Sequence, residues 1–333
     1  MKTLVCKHPD NLTLVDLEAD AVPEGWVPLD IARVGICGTD YHIYSGNQPF
    51  LEYPRVMGHE VSAWVSREYS GPDYQPGDLL ILNPYLACDD CHACKNKKPN
   101  CCENVEVFGV HRDGAMAEKF SAPPQNLISA DGLTPDQAAM VEFLAIGCHG
   151  VARTSVTPGA RALIVGAGPI GLATGIFARL SGCRVTMLDV SATKATLLRQ
   201  KFDLHVVHPS DHQTMQTLED DCDHVFDATG NINAMNSGLK FVSHGGTYTL
   251  LSIVQQDLQF PDPEFHKKEV TLFASRNANR SDFTRVITAI KDGVIDTDAI
   301  ATHRTNLANA ATDIHNWASE RESVIKAIIE VAA

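Results

Sequence analysis

The chain has 333 residues, 44% of them hydrophobic, and a formal net charge of −14. That length allows two domains with separate cores, and no apolar run approaches the roughly 18 residues a membrane span needs. The acidic balance argues against nucleic acid, whose phosphates reward clustered Lys and Arg, and fits a soluble acidic surface.

In chain order, the start "MKTLVCKHPDNLTLVDLEAD" is acidic and interrupted, with no apolar stretch ahead of a small-residue cleavage site. It does not read as a signal peptide, which makes the cytoplasm the expected compartment. Residues 1 to about 150 show short extended pieces such as "WVPLDIARVG" and "PGDLLIL", punctuated by Gly, Pro and Asp. They predict a β-rich domain with long loops. Within it, "GICGTDYHIY" (35–44) and "GHE" (58–60) supply Cys37 and His59, and "MVEFLAIGCHG" supplies Glu142. A thiolate, an imidazole and a carboxylate can hold one zinc and leave a position for water or substrate. Spacing alone does not bring these three together, and a lone residue of any of these types is usually structural.

"CDDCHACKNKKPNCC" (88–102) puts five of the ten cysteines into one short segment. In a reducing compartment, clustered thiols hold metal more often than they pair as disulfides. Cys88, Cys91 and Cys94 can turn inward on one tight loop, with Cys101 or Cys102 closing a tetrahedron. Four thiolates with no open position describe a structural zinc site, which pins a loop and does no chemistry.

From 161 onward β and α periods alternate. The apolar run "RALIVG" leads into a helix from about Ile170 to Leu180, and the strand "RVTMLD" ends at Asp189. A helix through "ATKATLLRQKF" follows, then strands at "HVV", "HVFDATG" and "GTYTLL". This alternation predicts a parallel, doubly wound sheet. Gly166, Gly168 and Gly171 form G-x-G-x-x-G at the strand-to-helix turn, where glycines let a pyrophosphate approach the helix N-terminus. Asp189 would accept from the adenosine ribose hydroxyls and repel a 2′-phosphate, which favours NAD over NADP. Asp227 and Thr229 end a later strand on the edge where ligands collect, a place that an ordinary strand-ending turn would fill equally well. The tail after about 295 is helical and mixed, and is expected to pack on the first domain.

The motifs "GICGTD", "GHE", the cysteine lobe, "GVHRDGAMAEKF", "VGAGPIGL" and "DATGN", in this order, resemble the zinc-containing medium-chain alcohol and polyol dehydrogenases over nearly the whole chain. "GNQPF" (46–50), "PDPEFHKKE" (261–269) and "SRNA" (275–278) are most similar to the L-galactonate 5-dehydrogenases and related sugar-acid dehydrogenases within that family. The resemblance implies an α/β chain with a GroES-like β-rich catalytic domain over 1–150, a structural zinc lobe at 86–103, a Rossmann NAD-binding domain over 151–294, and residues 295–333 completing the first. It places Cys37, His59 and Glu142 at a catalytic zinc, with Glu60 as a carboxylate able to exchange with bound water and Asp40 orienting the histidine. It selects Cys102 over Cys101 as the fourth lobe ligand. It puts Thr39 and His42 on a proton path, and Lys194 beside Asp189 at the ribose. Two positions depart from the family pattern. Ala63 stands for the usual Gly, which bears on the turn expected there, and Phe143 stands for Pro after Glu142, which bears on the orientation of that carboxylate.

The resulting expectation is an enzyme with two zinc ions per chain and NAD. It would oxidise a secondary alcohol of a sugar acid, L-galactonate at C5 to D-tagaturonate. Zinc would stabilise the alkoxide, Thr39 and His42 would carry the proton, and hydride would pass to the nicotinamide. An acid substrate needs local cations against the acidic surface: His266, Lys267, Lys268 and, first among them, Arg276, with Asn277 and Asn47 for hydroxyls. The competing readings are a neutral polyol or L-threonine as substrate, or a zinc-stabilised nucleotide-binding protein without turnover. No nucleic acid or membrane partner is expected, and the family suggests a homodimer or homotetramer.

Overall fold

Strand Val27–Ile36 organises the first part of the molecule, and its burial explains why. Val27, Leu29 and Ile31 alternate inward with the two-residue period of a strand. A bulge between Ile31 and Arg33 then shifts the phase, so that Ala32, Val34 and Ile36 are buried as well. The structure, a computed structural model, describes residues 1–48, 51–320 and 322–332.

Around this strand runs a seven-stranded sheet, in the order Leu127–Ser129, Leu79–Leu82, Glu60–Val65, Val27–Ile36, Lys326–Glu330 and Ala301–Asn306. The first half of Val27–Ile36 also pairs with Lys119–Ala122 on the flank that its second half gives to Lys326–Glu330. A C-terminal strand is therefore built into the interior of this sheet. Ala63 lies in the middle of strand Glu60–Val65, paired with Ile31 and Leu80 and 2% exposed. It occupies no turn, which corrects the expectation attached to it: its methyl group is simply part of the core.

The second part is a six-stranded parallel sheet, ordered His205–Val207, Arg184–Leu188, Arg161–Val165, Cys222–Asp227, Val242–Leu250 and Thr271–Ala274. This is the doubly wound Rossmann order, and the crevice lies where it reverses, beyond Val165 and Asp227. Tyr248 anchors its core, fully buried with its hydroxyl donating to the Met235 carbonyl at 2.7 Å.

Contacts divide the chain into residues 1–142 with 279–333, and residues 143–278. These borders differ from the 150 and 294 drawn from the sequence. Helix Val141–Ala152 carries the chain through the first border without a turn signal. Helix Arg280–Lys291 belongs to the first unit, where Arg280 donates to the Gln125 and Leu127 carbonyls and Lys291 pairs with Asp131.

Candidate metal centres and dinucleotide crevice

Strand Val27–Ile36 runs directly into Cys37, which caps helix Gly38–Tyr44. The cap closes both ways: Asp40 Oδ2 accepts the Cys37 amide at 2.8 Å, and the Cys37 side chain faces the Asp40 amide. This is a capping box with sulfur in place of the usual hydroxyl. The ligand atoms of Cys37, His59 and Glu60 lie within 4.8 Å of one another. His59 Nδ1 stands 3.9 Å from Asp40 Oδ1, beyond hydrogen-bond range, and both atoms are buried without another partner. Burial alone would push the His59 imidazole down, but Asp40 and the Cys37 sulfur, within hydrogen-bonding reach, hold it well above its ordinary value. Burial pushes the Asp40 carboxyl up.

Glu142 lies in the first turn of helix Val141–Ala152 and accepts the Tyr85 hydroxyl. Burial pushes its carboxyl up, to about 7. The Asn126 side chain fixes the backbone below Tyr85, donating to the carbonyls of Asn83 and Tyr85 at 2.8 and 2.9 Å. Glu142 is outside the tight group of Cys37, His59 and Glu60, which its sequence position does not reveal. Glu60 in turn is gripped by the buried Lys326. Sequence reasoning missed both Tyr85 and Lys326. Thr39 Oγ1 stands 3.9 Å from the Cys37 sulfur, and His42, on the next turn of the same helix, is exposed.

This donor set fits zinc. Soft sulfur, imidazole and carboxylate oxygens converge, and the orphaned Nδ1 facing a carboxylate is the arrangement that orients a metal-bound histidine.

The lobe fits zinc more closely still. Cys88, Cys91, Cys94 and Cys102 converge within 4.8 Å, while Cys101 is exposed and outside the group. Their sulfurs stand 3.4 Å (Cys102–Cys88), 3.5 Å (Cys91–Cys94) and 3.9 Å (Cys91–Cys102) apart. Zinc–sulfur bonds of about 2.3 Å put tetrahedral edges at about 3.8 Å, far from a disulfide. The backbone amides of Asp90 and Cys91 hold the Cys88 thiol down, to about 6, and so favour the thiolate a metal requires.

In the second unit, Gly166 has a left-handed φ of 99°, and a Cβ on Gly171 would fall 1.8 Å from the Gly166 carbonyl oxygen. The turn itself therefore requires both glycines. A Cβ on Gly168 would meet nothing within 4 Å, so the chain leaves that side open to a ligand. Asp189 ends the adjacent strand and accepts from the Ala167 and Ser191 amides at 2.6 and 2.8 Å, tying the glycine turn to the next helix. Lys194 is half-buried in the first turn of that helix, Ala192–Phe202. Asp227 Oδ1 accepts the Thr229 amide and hydroxyl, while Oδ2 is buried without a partner and burial pushes the carboxyl up. A cavity of about 750 Å³ opens beside these groups, lined by Gly166, Asp189, Val190, Thr229 and Asn231 among others. Its size and glycine floor suit a dinucleotide.

The residues expected to meet a sugar acid are scattered. Asn47 is exposed beyond helix Gly38–Tyr44; Pro49 and Phe50 of the same segment lie outside the described residues. Arg276 is exposed beyond strand Thr271–Ala274, and Asn277 has a left-handed φ of 54°. Lys268 is 3% exposed, paired with Asp220 and donating to the Leu239 and Lys240 carbonyls. That removes it from the cations offered to a substrate, because its charge is spent on Asp220 and on two carbonyls of the 3₁₀ turn Gly238–Phe241.

Comparison with known proteins bears on this arrangement. The Alcohol dehydrogenase GroES-like domain matches residues 23–132, and the Zinc-binding dehydrogenase family matches 169–292. L-galactonate-5-dehydrogenase of Escherichia coli K12 is 38% identical over 335 aligned positions, covering 99% of this chain and 98% of that protein. L-threonine 3-dehydrogenase of Thermococcus kodakarensis is 30% identical over 305, covering 87% of each. In fold, the chain is similar to L-idonate 5-dehydrogenase of Escherichia coli, with a TM-score of 0.90, 22% identity, and coverage of 99% of this chain and 97% of that one. Among the described residues no helix is long and apolar enough to cross a membrane. The sulfur lobe, the Cys37–His59 centre and the Rossmann crevice accordingly sit in a member of the zinc-binding alcohol dehydrogenase family, a CH–OH oxidoreductase whose cofactors are zinc and a nicotinamide dinucleotide.

Proposed function

We propose that this enzyme oxidises a secondary alcohol of a sugar acid with NAD, taking L-galactonate at C5 to D-tagaturonate. The observation that carries the reading is the full-length similarity to L-galactonate-5-dehydrogenase at 38% identity. In the reaction the C5 carbon gives a hydride to the nicotinamide, the hydroxyl gives a proton to solvent, and a ketone remains. Zinc, when bound, supplies Lewis-acid stabilisation of developing negative charge on the substrate oxygen. Cys37 and His59 would hold it, with Glu142 as the carboxylate, and the four lobe cysteines would hold a second, structural ion.

The chain's own groups do the rest. Asp40 orients His59 from behind. Thr39, beside the Cys37 sulfur, accepts the hydroxyl proton, and the exposed His42 one turn on delivers it to water. Gly168 leaves room for the pyrophosphate, and Asp189 and Lys194 face the adenosine ribose, where the carboxylate selects NAD. Arg276 is the group best suited to a substrate carboxylate, since a guanidinium can grip it bidentately, with Asn277 and Asn47 for hydroxyls.

The 30% identity to L-threonine 3-dehydrogenase favours a second reading, the same chemistry on an amino alcohol. A substrate panel followed by NADH absorbance separates the two. L-galactonate should give the highest kcat/KM; a faster reaction with L-threonine or a neutral polyol would replace the proposal.

A further inference from the structure

Strands Glu60–Val65, Val27–Ile36 and Lys326–Glu330 lie side by side, with Gly35 paired to Glu60 on one flank and to Ile328 on the other. Glu60 and Lys326 reach across the middle strand to each other. Lys326 Nζ donates to both Glu60 oxygens, at 2.7 and 2.6 Å, and to the Ile36 carbonyl at 3.1 Å. Three acceptors thus meet the three donors of an ammonium group. Gly35 makes this possible, because a Cβ there would fall 2.3 Å from Glu60 Oε2. Both side chains are 0% exposed. A lysine so deeply buried is tolerated only when fully paired.

The Glu60 carboxylate is also one of the groups converging with Cys37 and His59. Cys37 as a thiolate, with Asp40, Glu60 and Glu142, makes an anion-rich pocket. Among the described residues, the cation paired with Glu60 is Lys326. We infer that Lys326 is a positioning residue: it holds the Glu60 carboxylate beside the metal that Cys37 and His59 would bind, not on it, and so keeps a coordination position open for substrate. Without the ammonium, the strongest remaining attraction for a buried carboxylate would be the metal itself, because charges interact far more strongly there than in water. The inference rests on the reading of Cys37 and His59 as a zinc centre.

The test uses the full-length protein with cobalt substituted at that centre, in wild type, Lys326→Met, Lys326→Arg and Glu60→Gln. Lys326→Met should keep its cobalt, release it to a chelator about tenfold more slowly, change the visible cobalt spectrum, and lose at least about tenfold in kcat with little change in KM for NAD. Lys326→Arg should restore all of these. Glu60→Gln should leave the cobalt spectrum as in wild type, and it serves alone if Lys326→Met does not fold. A changed spectrum in Glu60→Gln would mean that Glu60 is already a ligand, which overturns the inference. So would unchanged release, spectrum and kcat in Lys326→Met, or faster release. Wild-type protein that takes up no metal at Cys37 and His59 would show a different failure, that of the zinc reading beneath it.

Discussion

Cys37 stands where a serine or aspartate ordinarily caps a helix, and Asp40 completes the cap with one oxygen while turning the other towards His59. Serine caps well, so Cys37→Ser should preserve the fold and a melting temperature close to wild type. The variant lacks the soft ligand, and should lose turnover while keeping about one zinc per chain, that of the lobe. Elemental analysis beside a thermal melt checks this; retained activity would remove Cys37 from the centre. At the other cofactor, Asp189 holds the Ala167 and Ser191 amides, and the proposal also gives it the adenosine ribose. Asp189→Ser should weaken NAD binding by about 1–3 kcal/mol, the scale of lost charge-assisted hydrogen bonds, and narrow the gap to NADP. Dissociation constants for both dinucleotides measure it. Wild-type protein that binds NADP as tightly as NAD would show that Asp189 does not select.

Among elements, the cysteine lobe is the most dependent on metal. Its helix His92–Lys95 buries no residue, and the 3₁₀ turn Pro99–Cys101 buries only Asn100. A segment with so little apolar burial relies on metal–sulfur bonds for its shape. Cys94→Ser should therefore lower the melting temperature and the zinc content together, and an unchanged melt would mean the lobe holds itself. This lobe and the glycine turn were legible in the sequence because each closes on itself within a few residues. The partners of Glu142 and Glu60 were not. Tyr85 meets Glu142 from 57 positions away, and Lys326 meets Glu60 from 266. Only the folded chain brings them together, and neither residue carries a local signature. Lys268 shows the converse failure: a Lys in a charged run reads as surface, yet it is buried against Asp220 and two carbonyls of the 3₁₀ turn Gly238–Phe241.

At the scale of the whole molecule, the chain leaves its first unit at 142, builds the Rossmann unit, and returns at 279 to insert strand Lys326–Glu330 beside Val27–Ile36. Residues far apart in sequence thus gather around Cys37 and His59. The identity of the substrate rests on different ground, because Arg276 lies in the unit of residues 143–278 and Asn47 in the other. Arg276→Leu should cost about 2–3 kcal/mol in transition-state binding of a sugar acid and leave a neutral alditol unaffected. Equal loss on both would make Arg276 structural. The central claim, a zinc and NAD enzyme for a sugar acid, is tested most directly by the initial rate of NADH formation in wild-type protein carrying both zinc ions, with L-galactonate, the corresponding neutral hexitol and L-threonine side by side. The account predicts the highest kcat/KM for L-galactonate with D-tagaturonate as product; preference for the hexitol or for threonine, or no NADH from any of the three, would contradict it.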